Sequence, residues 1–198
     1  MSKRLILASG SAIRARILDS AGLVFDVMRP EVDEAAIKRA ALATGRTLAE
    51  IAQLLADAKA LAVAAPPDAL ALGADQILAF DGEGFDKPQS MAEARARLLR
   101  LQGRDHALIN ASAIARGGRI VFRHLAAPRL FMRAMTADEI DAYLAAAGEE
   151  ILSSVGAYQV EALGSRLFER IEGDYFAVLG LALHPVLGYL RREGLLAF

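Results

Sequence analysis

The chain has no cysteine among its 198 residues. That absence excludes disulfides, thiolate metal sites and cysteine nucleophiles together, and it permits a reducing compartment. There is no block of basic residues: 23 Lys and Arg stand against 24 Asp and Glu, a net charge of −1. The electrostatic footprint of a general nucleic-acid binder is therefore missing, and an anionic partner should be small. No segment is long and apolar enough to span a bilayer, and the apolar part of M-S-K-R-L-I-L-A-S-G is too short for a signal peptide. The expectation is a cytoplasmic protein without a membrane partner. Also lacking are an internal repeat, G-x-x-x-x-G-K-S/T, a strand-borne G-x-G-x-x-G, G-x-S-x-G and any zinc signature. What the chain does have is 55% hydrophobic and 24% charged residues, enough to bury the core of one domain spanning residues 1–198.

Strand and helix signals alternate along it, the pattern of an α/β protein. The stretch Leu5 to Ala8 is an apolar strand that breaks into Ser9-Gly10-Ser11. From Ala12 a helix begins, with Ile13, Ile17 and Leu18 on one side and Arg14 and Arg16 beside them. Such a turn lies at the carboxyl end of a strand, where the helix N-terminus offers unpaired N–H groups to an anion. Ser9, Ser11 and Arg14 suit a phosphate; equally, the turn reads as a serine N-cap on an ordinary helix. Leu23 to Met28 is a short strand, followed by E-V-D-E. Glu31, Asp33 and Glu34 could hold a hard divalent cation or compensate the dipole of the helix that follows from Ala35.

Thr47 and Glu50 are spaced as a capping box for a helix whose stripe is Ile51, Leu54, Leu55, Ala58 and Ala62, ending before Pro66-Pro67. Lys59 on that helix reads as a solvated lysine. Asp68 to Phe80 is a nearly continuous apolar strand holding Asp75, and an ionised aspartate there must be paired, hydrogen-bonded or metal-bound. Beside a flexible Gly73, at a point where the strand reaches an edge of the sheet, it suits a general base or metal ligand. Asp81-Gly82 marks a hairpin, and D-K-P puts Lys87 on a loop. Ser90 and Glu93 open a helix whose arginines read as a solvated face, and Thr136 and Glu139 open another. Asp105 to Ala115 and Arg119 to Arg133 read as two long strands joined at Gly117-Gly118. His106 and His124 are ordinary strand residues in this reading. The loop Ser153 to Gly164 carries an aromatic ring, an amide and a carboxylate, ingredients for holding a planar heterocycle. Pro185 opens a last helix, which stops at Gly194.

A-S-G-S-A-I-R-A-R-I-L, E-V-D-E, Ala58-Lys59-Ala60, G-A-D-Q, D-K-P, G-R-D-H, G-A-Y-Q-V-E and L-F-E-R-I-E-G-D-Y follow one another over nearly the whole chain. Their order and spacing resemble the Maf family of nucleoside triphosphate pyrophosphatases. The resemblance implies a cytoplasmic α/β enzyme with a mixed central sheet, flanking helices and two lobes around a cleft, similar to the inosine triphosphatase fold. It further implies hydrolysis of a nucleoside triphosphate between the α and β phosphates with a divalent cation, Mg2+ or Mn2+, and often a homodimer. A second implied role is nucleotide binding linked to arrest of septum formation.

Carried over, Ser9, Ser11 and Arg14 match the phosphate-binding loop, Glu34, Lys59 and Lys87 the charged cleft residues, and Asp75 the proton acceptor, with Glu34 and Asp75 both near the metal. Base preference in the family tracks with three positions, here Ile13, Gln76 and Glu161. The branch acting on dTTP and UTP has arginine, threonine and glutamine there; the branch resembling 7-methyl-GTP pyrophosphatases has tryptophan, glutamine and glutamate. Two of the three agree with the latter, and Ile13 removes the ring that would stack on a cationic base. The chain departs from the family at Ala12 (proline), Asp86 (glycine), Asn110 (threonine) and Ala182 (proline). Asp86 is expected to place a negative charge beside Lys87.

Overall fold

A computed structural model describes residues 4–198. Strand β1 (Leu5–Ala8) leads into helix α1 (Ala12–Ser20), and β2 (Phe25–Met28) lies parallel to β1 at the edge of the sheet. Two helices follow, α2 (Glu34–Ala43) and α3 (Leu48–Ala62). Asp33 caps α2 by accepting from the Ala36 N–H at 2.8 Å, and Thr47 and Glu50 form the reciprocal capping box expected for α3. Next come β3 (Leu70–Phe80), the short β4 (Glu83–Phe85) and α4 (Met91–Leu101), then the longest strand, β5 (Asp105–Arg116).

The stretch expected as one strand from Arg119 to Arg133 is two, β6 (Arg119–Ala126) and β7 (Arg129–Met132). Pro128 has no N–H to give a ladder, so the chain breaks there, and the two pieces pair with different parts of β5. Helix α5 (Ala137–Ala147), strand β8 (Phe168–Glu172) and helices α6 (Tyr175–Leu179) and α7 (Leu183–Arg192) complete the chain. The last helix opens two residues before Pro185, which occupies its first turn.

The result is the mixed sheet expected, in the order β2-β1-β3-β5-β7-β8, with β4 added to β3 and β6 to β5. Strand β3 is central, and its neighbour on one side changes along its length. Residues 70–73 pair with β1 and residues 78–80 with β4, both on the side away from β5. Between them, where β1 has ended opposite Gly73, β3 has no strand partner on that side. The edge expected at Asp75 is thus a gap inside the sheet.

Side chains alternate across β3 with a period of two. Leu70, Leu72 and Ala74 pack with Leu5, Leu7, Leu18 and Leu190 under α1 and α7, whereas Ala71 and Ile77 pack with Ile51, Leu55 and Ala56 of α3. A third cluster, centred on Leu78, Leu98, Leu108, Leu130 and Ile140, lies under α4 and α5. The buried face of α3 is Ile51, Ala52, Leu55, Ala56, Lys59 and Ala60, so the stripe is rotated from the one expected: Leu54 and Ala62 are exposed. No helix among the described residues is long and apolar enough to cross a membrane.

Candidate active site

Alternation on β3 decides where Asp75 points. Residues 71, 73, 75 and 77 face α3, and Gly73 lets that helix lie directly on the strand: a Cβ there would stand 2.3 Å from the Ala56 carbonyl oxygen and 2.6 Å from the Ala60 nitrogen. Its role is close approach, not the flexibility expected. Lys59 therefore comes down onto Asp75, Nζ to Oδ1 at 2.7 Å, and also meets Glu34 Oε1 at 3.0 Å. Only 8% of Lys59 and 6% of Asp75 are exposed, so the lysine that reads as solvated from its helix alone is a buried ion-pair partner, in the cleft where the resemblance puts it. Of the three carboxylates in E-V-D-E, Asp33 caps α2 and Glu34 joins Lys59.

The opposite face of β3 carries Gln76. Its Nε2 donates to the carbonyl oxygens of Ala177 (2.8 Å) and Val178 (3.1 Å), which ties α6 to the strand. Asn110, directly across from Gln76 on β5 and fully buried, donates to the Asp75 carbonyl oxygen at 3.3 Å and accepts from the Ala182 N–H at 3.1 Å. Arg14 fills the gap in the sheet. Its Nε donates to the Gly180 carbonyl oxygen at 2.7 Å, and its Nη1 to the Ala74 carbonyl oxygen at 2.8 Å and to Ser9 Oγ at 3.2 Å. Burial pushes the Arg14 guanidinium down, with Asp75 and Glu34 pulling the other way. Ser9 Oγ also accepts from the Ser11 N–H at 3.2 Å, while the Ser11 side chain makes no cap.

These groups surround one cavity of about 720 Å³. Ser11, Ile13, Arg14, Glu34, Lys59, Asp75, Gln76, Lys87 and Glu161 all line it, and Ser9 stands behind it on Arg14. Each of its four carboxylates has a cationic partner: Asp75 and Glu34 share Lys59, Asp86 meets Lys38, and Glu161 lies 3.6 Å from Arg16. Asp86 thus spends its charge on Lys38 of α2 and not on Lys87, contrary to expectation. Lys87 and Arg14 have no carboxylate partner among the described residues. Burial, together with repulsion from Arg14 and Lys59, pushes the Lys87 ammonium below its ordinary range, a situation an anion would relieve. Among the described residues no group of three or more His, Cys, Asp or Glu could hold a metal ion. Glu34 and Asp75 do converge on one cationic point, the Lys59 ammonium. Two such carboxylates with phosphate oxygens from a substrate fit Mg2+, which is commonly held by one or two carboxylates plus substrate.

Two features escaped the sequence. The arginines of α4 are not all a solvated face: Arg97 is buried between the loop before Lys87 and the loop around Val155. The ring expected to stack on a ligand, Tyr158, is buried too, with its hydroxyl 2.5 Å from His106 Nε2 and its ring edge-on to Phe168. Gly156 makes room for it, since a Cβ there would come within 2.2 Å of the ring. His106 is therefore a core residue, held by burial down to about 4. Between pH ~6.5 and pH ~4 the unfolded chain binds a proton there that the folded protein does not, so stability falls with pH across that window, by about 3 kcal/mol, and no further below it. Melting temperatures measured from pH 7 to pH 4.5 are expected to drop less in His106→Leu than in the wild type. Equal slopes would remove His106 as the cause.

A family model described as Maf-like protein matches residues 4–193. The chain belongs to the Maf family. It is similar to the nucleoside triphosphate pyrophosphatase of Rhodopseudomonas palustris (strain BisB18), 47% identical over 198 residues, which covers 100% of this chain and 97% of that one. The nucleoside triphosphate pyrophosphatase of Paramagnetospirillum magneticum is 46% identical over 190 residues, 96% of this chain and 98% of its own. The 7-methyl-GTP pyrophosphatase of Brucella abortus biovar 1 is 42% identical over 194 residues, 98% of each chain. The matched span contains every element that lines the cavity, from α1 to α6.

Proposed function

We propose that the protein hydrolyses a nucleoside triphosphate at the α–β bond, releasing a nucleoside monophosphate and pyrophosphate with the help of Mg2+ or Mn2+. The observation that carries this reading is the buried Asp75–Lys59 pair in the sheet gap, faced by Arg14 and Lys87 in one cavity. Attack of water on a polyanion needs its charge offset, and Arg14, Lys59 and Lys87 supply three cations at one wall. Ser11 and the α1 N-terminus cradle the phosphates, and Ser9 holds Arg14 from behind. Asp75 takes the proton of the attacking water; the new bond forms at the α phosphorus and the bond to the α–β bridging oxygen breaks, so that pyrophosphate leaves. Glu34 and Asp75 would hold the metal, whose chemistry is to offset charge on the phosphate oxygens. The wall with Ile13, Gln76 and Glu161 is left for the base. Glu161 can accept from the N1–H and N2–H of a guanine-type base, including 7-methylguanine, and the Gln76 amide hydrogens are already committed to α6.

Product analysis tests the reading. Purified protein with UTP, dTTP, CTP, GTP or 7-methyl-GTP, and Mg2+ or Mn2+, is expected to give equal amounts of monophosphate and pyrophosphate, and none without metal. Diphosphate with orthophosphate would overturn the cleavage position. Binding without cleavage would leave a nucleotide-binding regulator, the role linked to septum formation.

A further inference from the structure

Two walls of the cavity belong to loops and not to the sheet. One is the D-K-P loop between β4 and α4, which carries Lys87; the other is the loop from Ser153 to Glu161. One buried side chain hydrogen-bonds to both. Arg97, in the middle of α4 and only 6% exposed, directs Nη1 to the backbone carbonyl oxygens of Asp86 and Val155. Its Nη2 donates to Glu93 Oε1 at 2.8 Å, and its guanidinium lies over the Phe85 ring, 5.2 Å from the centroid. Glu93 Oε2 in turn accepts from the Gln89 N–H at 2.9 Å. The chain is thus clipped one residue before Lys87 and again two residues after it.

Few side chains could do this. Meeting two carbonyls and a carboxylate at once needs a planar fork with several donors, and an ammonium is a point charge that cannot span them. Burying the charge is costly unless it is partnered, which Glu93 and the two carbonyl dipoles achieve. An arginine held inside the protein at that cost, between two cavity walls, does more than fill space.

We infer that Arg97 is a positioning residue: by clipping the Asp86 and Val155 carbonyls it holds Lys87 at a fixed separation from the facing loop and so sets how tightly the cavity grips a triphosphate. The inference rests on the reading of the cavity as a nucleoside triphosphate site. It concerns the grip on the triphosphate that Lys87 supplies and not the proton transfer at Asp75, because Arg97 lies behind the wall and has no hydrogen bond to Asp75 or Lys59.

The test is a double-mutant cycle read as KM against kcat. Arg97→Met is expected to raise KM about tenfold while kcat stays within about threefold, the mark of lost ground-state binding. In a Lys87→Ala background the same substitution is expected to lose most of that effect, because the group it positions is gone. Arg97→Lys, which keeps the charge and part of the clip, should fall between wild type and Arg97→Met. An equal KM rise in both backgrounds, or a fall in kcat with KM unchanged, would overturn the inference. Should Arg97→Met show no cooperative melting, Arg97→Lys carries the cycle with the same two outcomes. Calorimetric binding of a non-hydrolysable α,β-methylene triphosphate separates the two readings. If the wild type binds the analogue but cleaves none of the five nucleoside triphosphates, pyrophosphatase action fails and the Kd of the Arg97 variants still decides the clip. If they match a catalytically active wild type in Kd, the clip alone fails.

Discussion

Asp75→Asn is expected to retain the fold and lose turnover by about a hundred- to ten-thousand-fold, the range a positioned general base contributes. Asparagine has the volume of aspartate, and its carbonyl oxygen can still accept from Lys59, whose Nζ lies 2.7 Å from Oδ1. The lysine also keeps Glu34 at 3.0 Å, so the buried ammonium retains a charged partner. What asparagine cannot do is take a proton from water or offer a second anionic oxygen to a metal. Asp75→Ala would confound the result by opening a hole and leaving Lys59 with Glu34 alone, at a cost of several kcal/mol. The measurement is kcat alongside the melting temperature. A melting temperature within a few degrees of wild type, with turnover lost, supports Asp75 as the proton acceptor; turnover within tenfold of wild type would exclude that role.

How much of this was legible beforehand differs by element, for physical reasons. The strand, turn and helix at residues 5–20 were readable because local signals suffice there: an apolar run, a polar break and a helical period. The cavity residues were also named from sequence, and they do meet in one place. Lys59 reads as solvated from α3 alone, and only the resemblance put it in the cleft, because its environment is tertiary: nothing within α3 indicates that Gly73, on another element, lets the helix settle onto β3. Arg97 was hidden for the same reason: Glu93, four residues before it, is visible in the sequence, but the two backbone carbonyls that bury it leave no trace in residue type. Tyr158 looked like a ligand-facing ring because loops usually lie at the surface. Here the loop folds over its own tyrosine and buries it against His106 and Phe168. Pro128 could have been read as a strand break, since a proline inside a long strand removes a ladder donor.

Gly73→Ala is the second large effect, and it joins stability to function through one atom. The added Cβ would stand 2.3 Å from the Ala56 carbonyl oxygen and 2.6 Å from the Ala60 nitrogen, both backbone atoms of α3. Neither can rotate away, so the helix as a whole must lift from β3. Overpacking of this kind costs about 3 kcal/mol or more, well beyond the roughly 0.5–1 kcal/mol that alanine gains over glycine in a strand. In a chain of this size that corresponds to a fall in melting temperature of roughly 6–12 °C. Lys59 is the residue before Ala60, so the same displacement draws its ammonium off Asp75 and Glu34, and turnover is expected to fall together with stability. Gly84→Ala supplies the contrast. Its Cβ would meet Leu48 Cδ2 at 2.6 Å and Ile77 Cγ2 at 3.2 Å, the ends of side chains that can move. A much smaller loss of stability is expected there, with turnover preserved. If both alanine variants melted alike, close packing of α3 on β3 would not be what holds Lys59 in the site. A loss confined to Gly73→Ala would instead make the glycine part of the proposed machinery, because no other residue lets a helix backbone lie on the strand that carries Asp75.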